Sequence, residues 1–301
     1  MALFRDDFSR GFSALLLGAA GISCAAIFVR LSDVSPSASA FWRLALATPF
    51  LIAFHLIQSR IDLSAPRKEI DKQQLSWIGV VGALFAIELF VWHWSIAQTT
   101  VANATLLANM ATIFAAIYGF LLFGERINRR FIAGMILALV GAGVLIGQNV
   151  ELNPAYLSGD MLGILTATFY AAYIVAAARA RKHISLSLLM AGTALVSTAL
   201  LAIPLAFTDD PVLPQSMEGW LPLVGLALIA QVLGQSLIVY GLAHVPATLG
   251  ALSLLLQPVL SAVLAWWIFG EALGPLHLVG GSAVLAGIWV ARSSKAAGSK
   301  N

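Results

Sequence analysis

Residues 101–144 read VANATLLANMATIFAAIYGFLLFGERINRRFIAGMILALVGAGV, and residues 247–290 read ATLGALSLLLQPVLSAVLAWWIFGEALGPLHLVGGSAVLAGIWV. The second stretch repeats the first at a constant offset of 146 (252 minus 106). Leu106, Ala116, Gly134, Gly141 and Val144 recur as Leu252, Ala262, Gly280, Gly287 and Val290, and the turn Phe123-Gly124-Glu125 recurs as Phe269-Gly270-Glu271. Each copy is two apolar segments joined by a short turn. Upstream, Trp77, Val81 and Gly82 match Trp220, Val224 and Gly225 at an offset of 143 (220 minus 77). Identities in register with matching hydropathy indicate an internal duplication.

The rest of the chain has the same character. Its 301 residues are 60% hydrophobic and 10% charged, where a soluble domain carries roughly 25% charge. The composition therefore predicts an all-α membrane protein in contact with the lipid bilayer along most of its length. The net charge of +3 does not point to nucleic acid, because the basic residues lie in short loops. Cys24 is the single cysteine, so it forms no intramolecular disulfide and belongs to no metal cluster. The first apolar run is long enough to span, and no convincing cleavage site follows it; it reads as a retained helix.

Ten apolar runs, each near the ~20 residues that cross a bilayer, cover 12–30, 37–57, 76–96, 103–123, 130–147, 160–178, 186–207, 220–241, 248–269 and 274–292. In lipid the backbone must pair internally, and runs this long and apolar are helices, not barrel strands. With the N-terminus inside, the inner segments hold 15 of the 17 Lys and Arg residues; the positive-inside rule then places both termini in the cytoplasm. Five helices per copy is an odd number. The halves, 1–150 and 151–301, are therefore inverted relative to each other, with a site expected at the midplane between them.

Two five-helix units, each closing with an apolar helix, a Gly-Glu turn and a glycine-bearing last helix, resemble the drug/metabolite transporter superfamily. They resemble more narrowly its EamA-type ten-helix exporters, and within those the amino-acid exporters of the YddG type. The resemblance covers nearly the whole chain and is strongest at 101–144 and 247–290. It implies a secondary transporter of the bacterial inner membrane that works outward by alternating access, with helices 1–4 and 6–9 around a central cavity and helices 5 and 10 peripheral.

Charges inside apolar runs are the most informative single residues. Glu88 lies about 12 residues into helix 3 and Arg43 about seven into helix 2 from the other side; at 1.5 Å per residue the two share a depth. The second half offers Gln231 and Thr198 at the matching positions, so both charges are absent there together, as an Arg43–Glu88 pair predicts. Such a charge costs roughly 2.5–3.5 kcal/mol or more if unpaired. Three roles fit Glu88: half of a structural ion pair, an anchor for a substrate amino group, or a proton carrier.

Gln231 and Gln235, one turn apart in helix 8, either bond between helices or line the cavity. Gln257-Pro258 breaks helix 9: proline has no N–H, so the Leu254 carbonyl loses its helical partner, and Pro258 is a candidate hinge. Thr112, the matching residue in helix 4, predicts a break in one half only. Asn103, Asn109, Thr166, Tyr170 and Tyr173 add hydrogen-bonding groups, and Trp42 and Trp92 are candidate cavity walls. Trp77, Trp220, Trp266, Trp267 and Trp289 suit an interfacial belt, and His93 reads as packed. Gly134, Ala138 and Gly141 in helix 5, and Gly280, Ala283 and Gly287 in helix 10, form small-residue faces for close packing within a monomer or across a homodimer.

The sequence carries no HExxH, no Ser/His/Asp grouping and no phosphate-binding glycine loop, so neither an enzyme nor a cofactor is expected. Helix-embedded lysine, needed by a retinal protein, is absent. A dianionic sugar phosphate would want several intramembrane cations, and Arg43 is alone. Balanced charge, amides and aromatic walls favour a small neutral or aromatic amino acid as the substrate; an efflux pump for lipophilic drugs or cations is the competing expectation.

Overall fold

A computed structural model describes residues 2–61, 70–125, 127–147, 153–207, 210–269 and 274–298. The second Gly-Glu turn, Gly270 and Glu271, and the boundary between residues 150 and 151 lie outside these. Among the described residues, ten helices are long and apolar enough to cross a membrane: Asp7–Leu31, Pro36–Ile61, Lys72–Gln98, Asn103–Leu122, Arg129–Gly147, Pro154–Ala180, Leu186–Leu205, Met217–Gly241, Ala247–Ile268 and Pro275–Ser293. They are numbered helices 1–10 below. Helices 1, 3 and 6 start four to six residues before their apolar runs (12 to 7, 76 to 72 and 160 to 154), because a helix continues past the hydrocarbon wherever its polar residues meet water and its end is capped. Helix 3 shows this. Asp71 accepts from the Gln74 N–H at 2.7 Å while the Gln74 side chain accepts from the Asp71 N–H, a reciprocal capping box.

Ten successive antiparallel spans put both termini on one face, here the terminal face. Helices 5 and 10 cross at glycines that let their backbones touch. A Cβ built on Gly134 would lie 2.6 Å from the Gly287 carbonyl, and one on Gly141 would lie 2.7 Å from the Gly280 carbonyl. The 146-residue offset carries the pair Gly134–Gly287 onto Gly280–Gly141, so the contact maps onto itself, as two inverted repeats require. The inverted repeats also pair two other glycines, at an offset of 148 (159 minus 11). Gly159 at the start of helix 6 leaves 2.6 Å between a built Cβ and the Gln98 carbonyl carbon in the helix 3–4 turn. Gly11 at the start of helix 1 leaves 2.5 Å to the His244 Cβ in the helix 8–9 turn. The small-residue faces are thus used within the molecule.

Three spans are interrupted and one is rewound, which corrects the expectation of a single break. Helix 9 stops at Ser253 and resumes at Leu256. The Leu254 carbonyl is not left bare, because the Gln257 N–H swings onto it at 2.9 Å. Helix 4 breaks at the equivalent height without any proline, between Ala108 and Ala111. There the Met110 and Thr112 N–H groups tighten onto the Leu107 and Asn109 carbonyls, at 3.0 and 3.2 Å. Helix 1 breaks at Cys24, where the Ser23 hydroxyl takes the Ala20 carbonyl at 2.6 Å, a back-bond of the kind that bends helices. Helix 8 is a π-helix over Leu226–Gln235, a widening found frequently at functional sites. Helix 4 ends as its sequence predicts: Gly124 is left-handed at φ 61°, and the Glu125 N–H caps the Gly119 carbonyl at 3.0 Å.

The helix 5–10 contact leaves no room for a methyl group on backbone atoms that cannot yield. Gly287→Ala is therefore expected to destabilise the protein by about 1–3 kcal/mol, read as a lowered thermal unfolding midpoint in detergent, whereas the spacious Gly143→Ala should leave the midpoint unchanged.

Candidate functional site

A cavity of about 140 Å³ lies between helices 1, 2, 3, 4, 6, 8 and 9, in the half of the bundle away from the termini; helices 5 and 10 contribute nothing to its wall. All three interrupted spans meet it at their breaks: Ser23 and Ala25 from helix 1, Ala108 and Asn109 from helix 4, Gln257 and Pro258 from helix 9. Irregular backbone at membrane depth is tolerated where it lines a cavity, and here the breaks and the cavity coincide. The carbonyl of Ser23 is satisfied across helices by the Ser261 hydroxyl at 2.8 Å.

Both membrane charges face this space. Arg43 is 3% exposed and Glu88 is 7% exposed. They do not form the direct ion pair expected from their depths. Instead the Arg43 Nε–H donates to the Gln231 side-chain carbonyl at 3.1 Å, and the guanidinium carbon stands 5.9 Å from the Phe85 ring centroid. The Glu88 Oε2 atom is buried without a hydrogen-bond partner. Of the two readings open to Gln231, an interhelical bond or a place in the wall, the structure shows the first: from behind the wall it aims Arg43. A buried carboxylate oxygen with nothing bound is costly, so it marks a place where a ligand can contribute.

The remaining polar groups ring the same space. Asn109 presents an amide nitrogen with no partner. The Gln257 amide sits beside the Tyr170 hydroxyl without a well-formed hydrogen bond to it. Gln235 donates to the Tyr173 hydroxyl at 2.8 Å. Behind them stands an aromatic column: Tyr173 stacks on Phe85 at 4.7 Å and lies parallel to Tyr170 at 6.3 Å. Trp92 closes one side.

Two expected wall residues lie elsewhere. The Trp42 indole donates to the Val212 carbonyl at 2.8 Å and meets Trp220 edge-on at 4.9 Å, so its polar tip ties helix 2 to the loop before helix 8. Thr166 is fully buried and returns its hydroxyl to Leu162 in its own helix at 2.9 Å. Asn103 also serves structure: with Thr99 it binds the Asp160 carboxylate, at 3.0 and 2.7 Å, and joins the helix 3–4 turn to the start of helix 6. His93 is packed, with Nδ1 donating to the Leu89 carbonyl at 2.7 Å. Phe85, Thr105 and Ser261 line the cavity but were not singled out in the sequence. Their signal was weak, since one Phe, Thr or Ser in an apolar run resembles ordinary core. Ser23 had a usable one, the small polar pair Ser23-Cys24 inside helix 1. Among the described residues no three His, Cys, Asp or Glu side chains gather as metal ligands would.

Comparison with known proteins agrees with this architecture. A solved crystal structure superposes with a TM-score of 0.78 over 95% of this chain and 98% of its own, at 22% identity, and so shares the fold. An uncharacterized transporter of Archaeoglobus fulgidus is 26% identical over 283 residues, 93% of this chain and 96% of the relative. The pseudopaline exporter CntI of Pseudomonas aeruginosa is 27% identical over 257 residues, 85% of this chain and 86% of the relative. The aromatic amino acid exporter YddG of Ancylobacter novellus is 28% identical over 156 residues, 50% of this chain and 53% of the relative. The profile of the EamA-like transporter family matches twice, at residues 9–147 and 157–293. With ten spans in two inverted repeats and a family match over both, the chain belongs to the EamA-like transporter family of the drug/metabolite transporter superfamily.

Proposed function

We propose that this transporter exports neutral or aromatic amino acids across the bacterial inner membrane, by alternating access around the central cavity, with both termini in the cytoplasm. One observation carries the reading: a buried Glu88 carboxylate with an unpartnered Oε2 and a Gln231-aimed Arg43 share one small cavity. A substrate carrying both an ammonium and a carboxylate satisfies both. Glu88 accepts from the ammonium, Arg43 and the Asn109 amide N–H donate to the carboxylate, and Trp92, Phe85 and Tyr170 pack the side chain. Gln235 and Gln257 supply further amides. A polyanion meets Glu88, and a multivalent cation meets Arg43. The basic loops on the terminal face support the orientation, and two relatives named as exporters support the outward direction.

Movement falls to the helix 3–4 and 8–9 hairpins. Their broken helices, 4 and 9, bend at the same height, with Pro258 keeping the second break from healing. Two discrete arrangements of such hairpins suffice for alternating access.

Liposomes holding purified protein and unlabelled threonine, methionine or phenylalanine should take up the labelled amino acid faster than protein-free liposomes. No counterflow for any neutral amino acid, alongside efflux of lipophilic cations, would replace this reading with the drug pump. Glu88→Gln and Arg43→Gln should each fold and lose about 10–100-fold in counterflow, the worth of one charge-assisted hydrogen bond at roughly 1.5–3 kcal/mol. Normal transport in both variants removes the two charges from the site. Pro258→Ala should keep the fold and affinity but slow turnover, measured by rapid-mixing flux; unchanged turnover makes the proline a packing feature.

A further inference from the structure

A second cavity, about 370 Å³, opens at the terminal face and shares no residue with the first. Glu125 follows helix 4, Arg179 and Lys182 end helix 6, and the turn from Leu242 to Ala247 joins helices 8 and 9; together they enclose it. Its floor is apolar, from Val175, Val245 and Pro246. The left-handed Gly124 turns the chain so that the Glu125 N–H caps helix 4. The carboxylate then folds inward beside Gly119, where a built Cβ would lie 3.2 Å from Oε2. That oxygen is buried and has no hydrogen-bond partner, and no ion pair joins Glu125 to Lys182 across the cleft. An inward carboxylate, basic side chains on the facing helix and an apolar floor repeat the chemistry of the central cavity.

We infer that this cleft is a second binding site for a zwitterion, with the ammonium on Glu125 and the carboxylate on Lys182, where substrate loads from the terminal side before it reaches the central cavity. The choice of an amino acid as the zwitterion rests on the reading of the central cavity. An anion alone meets Glu125, and a cation alone meets the two basic residues. A phosphoethanolamine lipid headgroup has the same pair of charges, so the test includes it.

Equilibrium binding of labelled phenylalanine or threonine to the purified protein in lipid-free detergent should show two molecules per chain. Glu125→Gln and Lys182→Gln should each leave one, and Glu88→Gln should leave the other. In liposomes, Glu125→Gln should raise KM for substrate offered on the terminal side about 10-fold, which is one decade of affinity, with little change in kcat. Two intact sites in both Glu125→Gln and Lys182→Gln overturn the second site alone. So does a single wild-type site that is lost with Glu88→Gln. No amino-acid binding to the wild type overturns this site and the central reading together. If phosphatidylethanolamine nanodiscs displace the Glu125-dependent amino acid and abolish the KM difference, the cleft belongs to a lipid headgroup and the loading site is refuted.

Discussion

Everything in this bundle answers to one constraint: in hydrocarbon there is no water to satisfy a backbone N–H or C=O. The constraint makes every span a helix. It also decides where a helix is allowed to stop. Helices 1, 4 and 9 are interrupted only where their breaks border the central cavity, and each break is repaired locally. Tightened turns take up the Leu107, Asn109 and Leu254 carbonyls, and Ser261 reaches across to the Ser23 carbonyl. The cavity is therefore lined by the interrupted backbone of three spans.

The same economy governs charge. Two ionisable side chains are buried together in the wall, and their arrangement is asymmetric. Arg43 is fixed by Gln231, supplied by the other repeat, while Glu88 keeps an unoccupied oxygen. Had the two paired directly, the site would be closed electrostatically and a ligand would have to break the pair. Placing an amide on the arginine keeps the cation oriented and the anion available. The aromatic column of Phe85, Tyr173 and Tyr170 stiffens the wall behind them. Second-repeat residues thus complete a site whose charges come from the first, so the two halves act as one unit even though each matches the family separately.

Pseudo-symmetry is strict where packing is tight and loose around the central cavity. Gly134–Gly287 and Gly141–Gly280 are images of one another, as are the Gly159 and Gly11 contacts at the two ends of the bundle. Backbone-to-backbone contact tolerates no added methyl, so both copies keep glycine. In the cavity, by contrast, one repeat supplies the charges, helix 8 alone among the described residues is rewound as a π-helix, and helix 9 carries a proline at its break where helix 4 has none.

Much of the fold was legible in the chain itself. Composition and run length determined ten helices, and the 146-residue offset determined two units of five. An odd number of spans per unit then requires inversion, with no further information. The Gly124 cap and the glycine faces of helices 5 and 10 were readable because glycine has one physical advantage at a left-handed turn or a close crossing. The depth of Arg43 and Glu88 was readable too, since rise per residue is fixed. Their partnership was not, because depth leaves rotation about each helix open; only the packed structure could bring Gln231 to Arg43. Rotation also decided that Trp42 and Thr166 turn away from the cavity while Ser23, Thr105 and Ser261 turn toward it. The break in helix 4 escaped the sequence for a related reason. A proline announces a missing N–H, but the break at Asn109-Met110 carries no such mark in the sequence and shows itself only in the tightened bonds to the Leu107 and Asn109 carbonyls.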